Sequence, residues 1–431
     1  MATEYDVIVV GAGPAGLMAA RTVAEQNLKV ALIERRKDIT KWTRADCMMF
    51  YGLEGNFMGE DIKVEVGKIT FPKNGFEVKY SGGLYPLYHW RVLSPGGHRI
   101  DFSSEHPIAT VFNKETLLRD LLSEVEKSGV AIFSGSLGVK AESTQNGAKV
   151  LIKSEKKESW LEAKKVIAAD GVNSRITKSI WSDKERPCMG TFKVVQYIME
   201  GVENPYPNSW VQFYGKSLSP FAPLHFLQTV HGESLQKLGA IRPAPGNPEE
   251  DLKIIMEKSR FSSWFKRAKV VYKMGVSVKP MMPIERPVTG NIIAIGDAAA
   301  FVEVENQGAM MCGYHAGHAL IKEIEGNDGI SEYVSWWQKS FEFNNPDIQR
   351  IAQGYAINPY YEDEEIDYLF SLVEMESFEG TINQYKIPKI LWDAIFRHKE
   401  QIQKERPELS QKIEGIHNMT TQEAFTIDQG K

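Results

Sequence analysis

Gly11, Gly13 and Gly16 fall in the spacing Gly-x-Gly-x-x-Gly, directly after the apolar run Val7-Ile8-Val9-Val10. The chemistry of that pattern is anion binding. A strand that turns tightly into a helix presents first-turn N–H groups without partners inside the helix, and with the helix dipole these favour a diphosphate. Gly11 permits the turn, Gly13 admits a close ligand, and Gly16 lets helix and sheet approach; Ala15 lies in the same turn. Glu34 ends the next apolar run, 18 residues beyond Gly16, where a carboxylate accepts hydrogen bonds from an adenosine ribose. Two further acidic turns follow apolar runs, at Asp170-Gly171 and at Gly296-Asp297.

Other residues are placed to act on a substrate. Cys47 is a thiol and so, with an ordinary pKa of about 8.5, a proton donor at neutral pH; it serves equally as a small apolar filler beside Met48 and Met49. Glu303 and Glu305 interrupt the turn after Asp297. They read as a raised-pKa acid, as a partner for a cationic substrate group, or as solvated loop carboxylates. Tyr88-His89-Trp90-Arg91 and the cluster Trp210, Phe213, Tyr214, Phe221, His225 and Phe226 line an apolar cavity or form ordinary core. His315 and His318 are too thin a set for a metal, and no metal site is assigned.

These residues need elements to hold them. Residues 14–26 read as a helix between strands at 5–10 and 29–33, and 35–59, without a clear period, as a loop leading into a helix. Residues 62–112 alternate apolar and polar positions between Gly/Pro turns, the pattern of antiparallel strands. Leu117, Leu118, Leu121, Leu122 and Val125 form a helical stripe over 114–128, followed by strands at 131–133 and 148–152. A second alternating region, 189–285, carries strands at 193–199, 210–214 and 239–242 and a helix at 248–258. From Gly308 onward the chain is largely helical. Gly308 and Ala309 open a helix in which Gly313 and Gly317 make a flat face for cofactor or sheet. The stripe over 387–396 packs on a domain, covers a substrate entrance or rests on a membrane.

At 431 residues the chain exceeds a single core, so two or more domains are expected. No apolar run approaches the roughly 20 residues a bilayer span needs, and there is no signal-peptide layout. Three scattered cysteines exclude a disulfide framework and point to a reducing cytoplasm. A net charge of −5 without a basic aromatic stripe argues against nucleic acid.

Together the three strand-end motifs resemble the FAD-binding fold of the para-hydroxybenzoate hydroxylase and geranylgeranyl reductase superfamily, over most of residues 5–325. The closer likeness is to geranylgeranyl reductases and FixC-type flavoproteins, on Ala169-Asp170-Gly171-Val172-Asn173-Ser174-Arg175 and on Cys47. The resemblance implies an α/β, Rossmann-like FAD-binding fold with an inserted antiparallel-sheet substrate domain and a helical C-terminal region. FAD is then held by Gly11, Gly13, Ala15, Gly16, Glu34, Arg35, Arg44, Lys114, Asp170, Gly296, Asp297, Gly308 and Ala309, with Asp297 on the ribityl chain. Residues 1–61, 100–185 and 286–330 form the FAD domain, 62–99 and 186–285 the substrate domain, and 331–431 the helical region.

The chain departs from its relatives in several places. The hydroxylases' terminal Arg of the Asp-Gly motif is replaced around Thr177, their His and Pro after Gly-Asp are Ala300 and Val304, and Lys114 stands where an Arg is common. The prenyl-reductase signature Tyr-x-Trp-x-Phe-Pro is matched only in pieces. What the resemblance implies is a cytoplasmic FAD-dependent oxidoreductase that exchanges hydride with a carbon of an apolar or unsaturated organic substrate, with Cys47 or Glu303 managing the proton. NAD(P)H or a redox protein is the electron partner. An aromatic monooxygenase or halogenase is the alternative, and a non-enzymatic flavoprotein the third class.

Overall fold

The computed structural model describes residues 4–51, 60–155, 157–182, 184–300, 304–341, 343, 357–381, 383 and 386–418. The run Tyr5–Val10 is a central strand, paired in parallel with Val30–Glu34 on one side and with the end of Lys157–Ala168 on the other. Strands covered on both faces read as continuous apolar runs, which is why these were visible without alternation. Ala131–Ser134 extends the sheet beyond Val30–Glu34, and Ile292–Ala294 joins Lys157–Ala168 in parallel. Gly147–Ser154 and Ser136–Thr144 add an antiparallel hairpin. The register aligns Val10 with Ala168, and Ala168 with Ala294. Three segments far apart in sequence therefore finish at one edge, and each motif turn leaves from that edge.

The helix Pro14–Ala24 packs against Glu305–Ile324. A Cβ on Gly313 would lie 2.3 Å from the Ala15 carbonyl oxygen, and one on Gly317 2.8 Å from Thr22 Cβ. The flat face expected to meet cofactor or sheet thus meets the first helix, and the two backbones approach closely because neither glycine has a side chain.

A second eight-stranded sheet runs in the order Lys269–Val278, Phe192–Glu200, Gly232–Pro243, Leu224–Thr229, Ser209–Phe213, His89–Leu93, Arg99–Ser103, Phe378–Glu379. Leu252 and Ile255 of the helix Pro248–Glu257 share a core with Val211, Phe213 and Phe226 on one face. Trp90, Trp210 and Tyr214 share another with Leu369, Phe370, Leu391 and Trp392 of the C-terminal helices. The stripe over 387–396 therefore packs against this sheet, with Ile387, Leu391, Ala394 and Ile395 buried. A small third sheet pairs Met49–Tyr51 with Ala109–Phe112, and that strand with Leu84–Leu87. Met49–Tyr51 is therefore strand, in place of the loop leading into a helix expected over 35–59; residues 52–59 lie outside the described residues. Met48 turns the chain with φ +53, a conformation no α-helix continues, and Ala109–Phe112 supplies the pairing. Among the described residues, no helix is long and apolar enough to cross a membrane.

Candidate active site

The first turn is dictated by backbone contacts. Gly11 has φ +104, and a Cβ there would lie 2.3 Å from the Ala169 carbonyl oxygen; one on Gly16 would lie 1.8 Å from the Gly11 carbonyl oxygen. Gly13 differs, because no protein atom lies within 4 Å of its Cβ position and its φ of −79 suits any residue. No feature of the folded chain demands a glycine at 13. The helix that begins here has Pro14 in its first turn and no side-chain cap, so its free N–H groups face the same open space.

Glu34 is 6% exposed, and its carboxylate accepts from the Ala12 N–H at 2.8 Å and from the Arg36 N–H at 2.8 Å. The Arg36 guanidinium adds two more bonds, at 3.1 Å each, and also donates to the Ala12 carbonyl. Burial works to raise the Glu34 pKa, but Arg36 and the two backbone N–H groups outweigh it and hold the carboxyl below its ordinary range. Arg36, rather than the exposed Arg35, is the basic residue on this carboxylate.

The other two turns converge on the first. The Cβ position of Gly296 lies 3.3 Å from Ala15 Cβ, so the Gly296-Asp297 turn sits directly on the start of the first helix. Asp297 is half-buried and accepts from the Val304 N–H at 3.0 Å. Burial raises its pKa, and the opposing charges of Arg44 and Lys114 do not fully offset this. Arg44 lies beside the Trp42 ring and comes within 4.0 Å of the Cβ position of Gly171. Asp170 accepts from Ser174 Oγ at 2.5 Å and from the N–H groups of Arg175 and Ile176 at 2.7 and 3.2 Å. Those bonds stay within its own turn, so Asp170 shapes the loop.

Arg186, which no sequence pattern singled out, ties two turns together. It is 4% exposed and donates to the carbonyls of Ala298, Ala300 and Met282 and to Thr177 Oγ1. Burial lowers its pKa to about 10, against the pull of Asp170 and Asp297, so it remains charged at neutral pH.

Between this edge and the second, mixed sheet lies the Asp46–Cys47 segment. Lys114 Nζ, 5% exposed as a residue, donates to Asp46 Oδ2 at 2.9 Å and to Asn306 Oδ1, over the Trp42 ring at 4.6 Å. From the other side, Gln196 Oε1 accepts the Asp46 N–H at 3.0 Å, and Lys237 Nζ donates to the Asp46 and Cys47 carbonyls at 3.0 and 2.5 Å. Gln307 binds both backbone groups of Tyr51, and Tyr51 Oη donates to Glu305 at 3.4 Å. Glu305 is thus the half-buried first residue of Glu305–Ile324, with φ +56, and is not a solvated loop carboxylate. Gly308 is buried and Ala309 half-buried in the same first turns. Glu303 lies outside the described residues. His315 stacks on Trp336 at 4.0 Å and bonds Asn74 at 2.5 Å, a packing role.

Residues 4–217 match the family of FAD binding domains. The digeranylgeranylglycerophospholipid reductase of Methanosarcina acetivorans is 26% identical over 397 residues, covering 87% of this chain and 90% of that protein. The corresponding reductase of Methanothrix thermoacetophila is 24% identical over 420 residues, with 90% and 98% covered. The chain is an FAD-dependent oxidoreductase, similar over most of its length to geranylgeranyl reductase-like proteins. A geranylgeranyl bacteriochlorophyll reductase-like protein from Thermoplasma acidophilum has the same fold, with a TM-score of 0.69 at 20% identity and coverage of 96% of this chain and 99% of that one. A p-nitrophenol 4-monooxygenase from Pseudomonas putida shares the fold at a TM-score of 0.64 and 15% identity, covering 92% and 99%.

The residues of this flavoprotein fit FAD. The uncapped helix start and the open space at Gly13 suit the diphosphate, and the adjoining Asp297 turn continues the surface toward the Asp46–Cys47 segment. Glu34 suits a ribose, which would displace Arg36 from some of the carboxylate's occupied acceptor sites.

Proposed function

We propose that the protein reduces a carbon–carbon double bond of an apolar, unsaturated organic substrate, or runs the reverse dehydrogenation, with Cys47 handling the proton. The observation that carries this reading is the position of Cys47. Its segment is fastened to the nucleotide-binding side through Lys114 and to the substrate sheet through Gln196 and Lys237. A thiol at that junction stands between a cofactor held by the strand-end turns and a substrate held by the sheet. FAD, when bound, supplies hydride exchange at its N5. Gly11, Gly13, Ala15, Gly16, Glu34 and Asp297 would hold it, with Arg44 and Lys114 behind Asp297 and Gly296, Gly308 and Ala309 beside it.

For the substrate, an aromatic ladder supports an apolar molecule. Phe378, Phe102, Trp90, Trp210 and His225 stack in succession across five strands, with centroid spacings of 5.0, 4.9, 5.7 and 5.3 Å. The Nε1 groups of Trp90 and Trp210 are buried without a hydrogen-bond partner among the described residues. The relatives' names, reductases of a digeranylgeranylglycerophospholipid, agree with such a substrate. The mixed eight-stranded sheet is the proposed substrate domain, and the pairing of Arg99–Ser103 with His89–Leu93 supports a boundary after Ser103. The cytoplasm is the proposed compartment, and NAD(P)H or a redox protein the electron partner.

The test is anaerobic mixing of the reduced holoprotein with unsaturated isoprenoid lipids. Substrate-dependent flavin reoxidation without oxygen is expected, and Cys47→Ser should retain FAD while slowing that step at least tenfold. Unchanged reoxidation in Cys47→Ser removes the thiol from the mechanism. The fold shared with the monooxygenase favours a second reading, which predicts flavin reoxidation only when oxygen is admitted.

A further inference from the structure

Lys237 is a buried cation without an obvious structural need for its charge. It projects from Gly232–Pro243, is 2% exposed, and spends two N–H groups on the main-chain carbonyls of Asp46 and Cys47. A neutral donor would satisfy two carbonyls, and taking an ammonium out of water costs several kcal/mol. Asp46 does not account for the charge, because its carboxylate is already paired with Lys114 from the helix Lys114–Lys127.

The surrounding charges come from every packed element. The Asp46–Cys47 segment contributes a carboxylate and a thiol, Glu305–Ile324 contributes Glu305, and Leu224–Thr229 contributes His225. Farther along lies Asp297, which interacts with Arg44, Lys114 and Asp46. Burial lowers the Lys237 pKa, while Cys47, Asp46 and Glu305 pull it back. His225 is brought down to about 4 by burial and by Lys237, so it carries no charge at neutral pH. The cation facing Cys47 from the sheet is therefore Lys237.

We propose that Lys237 is the positioning residue for Cys47, fixing the backbone of the thiol-bearing segment and holding the negative charge left on sulfur when the thiol gives up its proton. This rests on the proton role of Cys47 proposed above. In the step, the S–H bond breaks and its proton is taken by the π pair of the substrate double bond to form one C–H bond, while the other carbon takes the hydride that reduced FAD would supply. The S–H electron pair stays on sulfur beside the ammonium, and the thiolate regains a proton from water, releasing hydroxide to solvent, before the next turnover.

The experiment is a titration of thiolate absorbance at 240 nm in holoprotein, taken as the difference between wild type and Cys47→Ser. The wild-type midpoint should lie below the ordinary thiol value of about 8.5 by about one unit. In Lys237→Met, measured against Lys237→Met with Cys47→Ser, it should rise by about one unit or more, and Lys237→Arg should return it toward wild type. A wild-type midpoint at or above 8.5 overturns the proposal even if Lys237→Met does not fold. An unchanged midpoint in a folded Lys237→Met does the same. Because the titration does not involve turnover, unchanged flavin reoxidation in Cys47→Ser would sink the proton role separately.

Discussion

At the glycine turn the contacts that matter are made by backbone atoms, the Glu34 carboxylate and the Arg36 guanidinium, all but those of Ala169 and Asp170 within residues 10–36. Around Asp46 they are made by side chains, and those come from Lys114, Gln196, Lys237, Asn306 and Gln307, drawn from one sheet and two helices. The first region recognises what every dinucleotide shares, a diphosphate and a ribose, and backbone N–H groups suffice for that. The second must serve one particular reaction. Its charges are buried and mutually compensating, so any one of them can be changed only at the expense of the others. One end is a construction common to a fold, and the other belongs to a chemistry.

If the glycine turn is made by backbone, its three glycines must fail differently. In Gly16→Ala the new methyl overlaps the Gly11 carbonyl, and the strand and helix must separate. Overpacking of a tight site costs about 1–3 kcal/mol and often more, so reduced soluble yield and a large fall in melting temperature are expected, with flavin lost. Gly13→Ala meets no protein atom. Its apoprotein should unfold within about 0.5 kcal/mol of wild type, as surface substitutions do, while FAD affinity falls at least tenfold in a flavin-fluorescence titration. Equal loss of stability in both variants would erase the distinction between a glycine required by the fold and one required by the ligand.

Asp46→Asn probes the other region. It leaves Lys114 buried beside a neutral amide, and breaking a buried pair costs about 3 kcal/mol, read from denaturant unfolding at pH 7. Burial alone would raise the Asp46 pKa, but Lys114, the Met48 N–H and Lys237 bring it below the ordinary value. The group therefore contributes stability that is complete above the unfolded carboxyl value near 3.8 and is lost as pH falls through the lower folded value. The difference between wild type and variant should shrink in that acid range. A cost under about 1 kcal/mol at pH 7, typical of an exposed ion pair, would mean that this region is not built from interdependent side chains.

This contrast also governs what could be read without coordinates. Val7–Val10 and Asn291–Ile295 announce themselves as buried parallel strands, and Gly11 to Gly16 carry their function in their spacing, so the FAD fold was legible. Ser136–Thr144, Leu224–Thr229 and Lys269–Val278 were not, because Gly138, His225, Gln228 and several lysines break the alternation that marks a strand. Arg186 and Lys237 left no local signal at all. Each acts on main-chain carbonyls far away in sequence, and such a partner leaves no trace in residue type. Asn306 lay two residues before the Gly308-Ala309 pair already singled out, yet its partner Lys114 was identified only by family likeness.

The smallest effect concerns two histidines on opposite sides of the contrast. His225 stacks on Trp210 and faces Lys237, while His315 is clamped between Trp336 and Asn74. Burial lowers each to about 4, with Lys237 adding to it for His225 and His318 for His315. The unfolded chain binds those protons near 6.5 and the native state does not, so stability is complete above 6.5 and declines as pH falls toward 4. His315→Gln and His225→Gln should each flatten part of that decline in urea unfolding measured at several pH values. Only His225→Gln should also change flavin reoxidation, because it alters the neighbour of Lys237, whereas His315→Gln should leave the reaction untouched. If both variants altered stability and reaction alike, the acid sensitivity would belong to the whole molecule and not to the cluster beside Cys47.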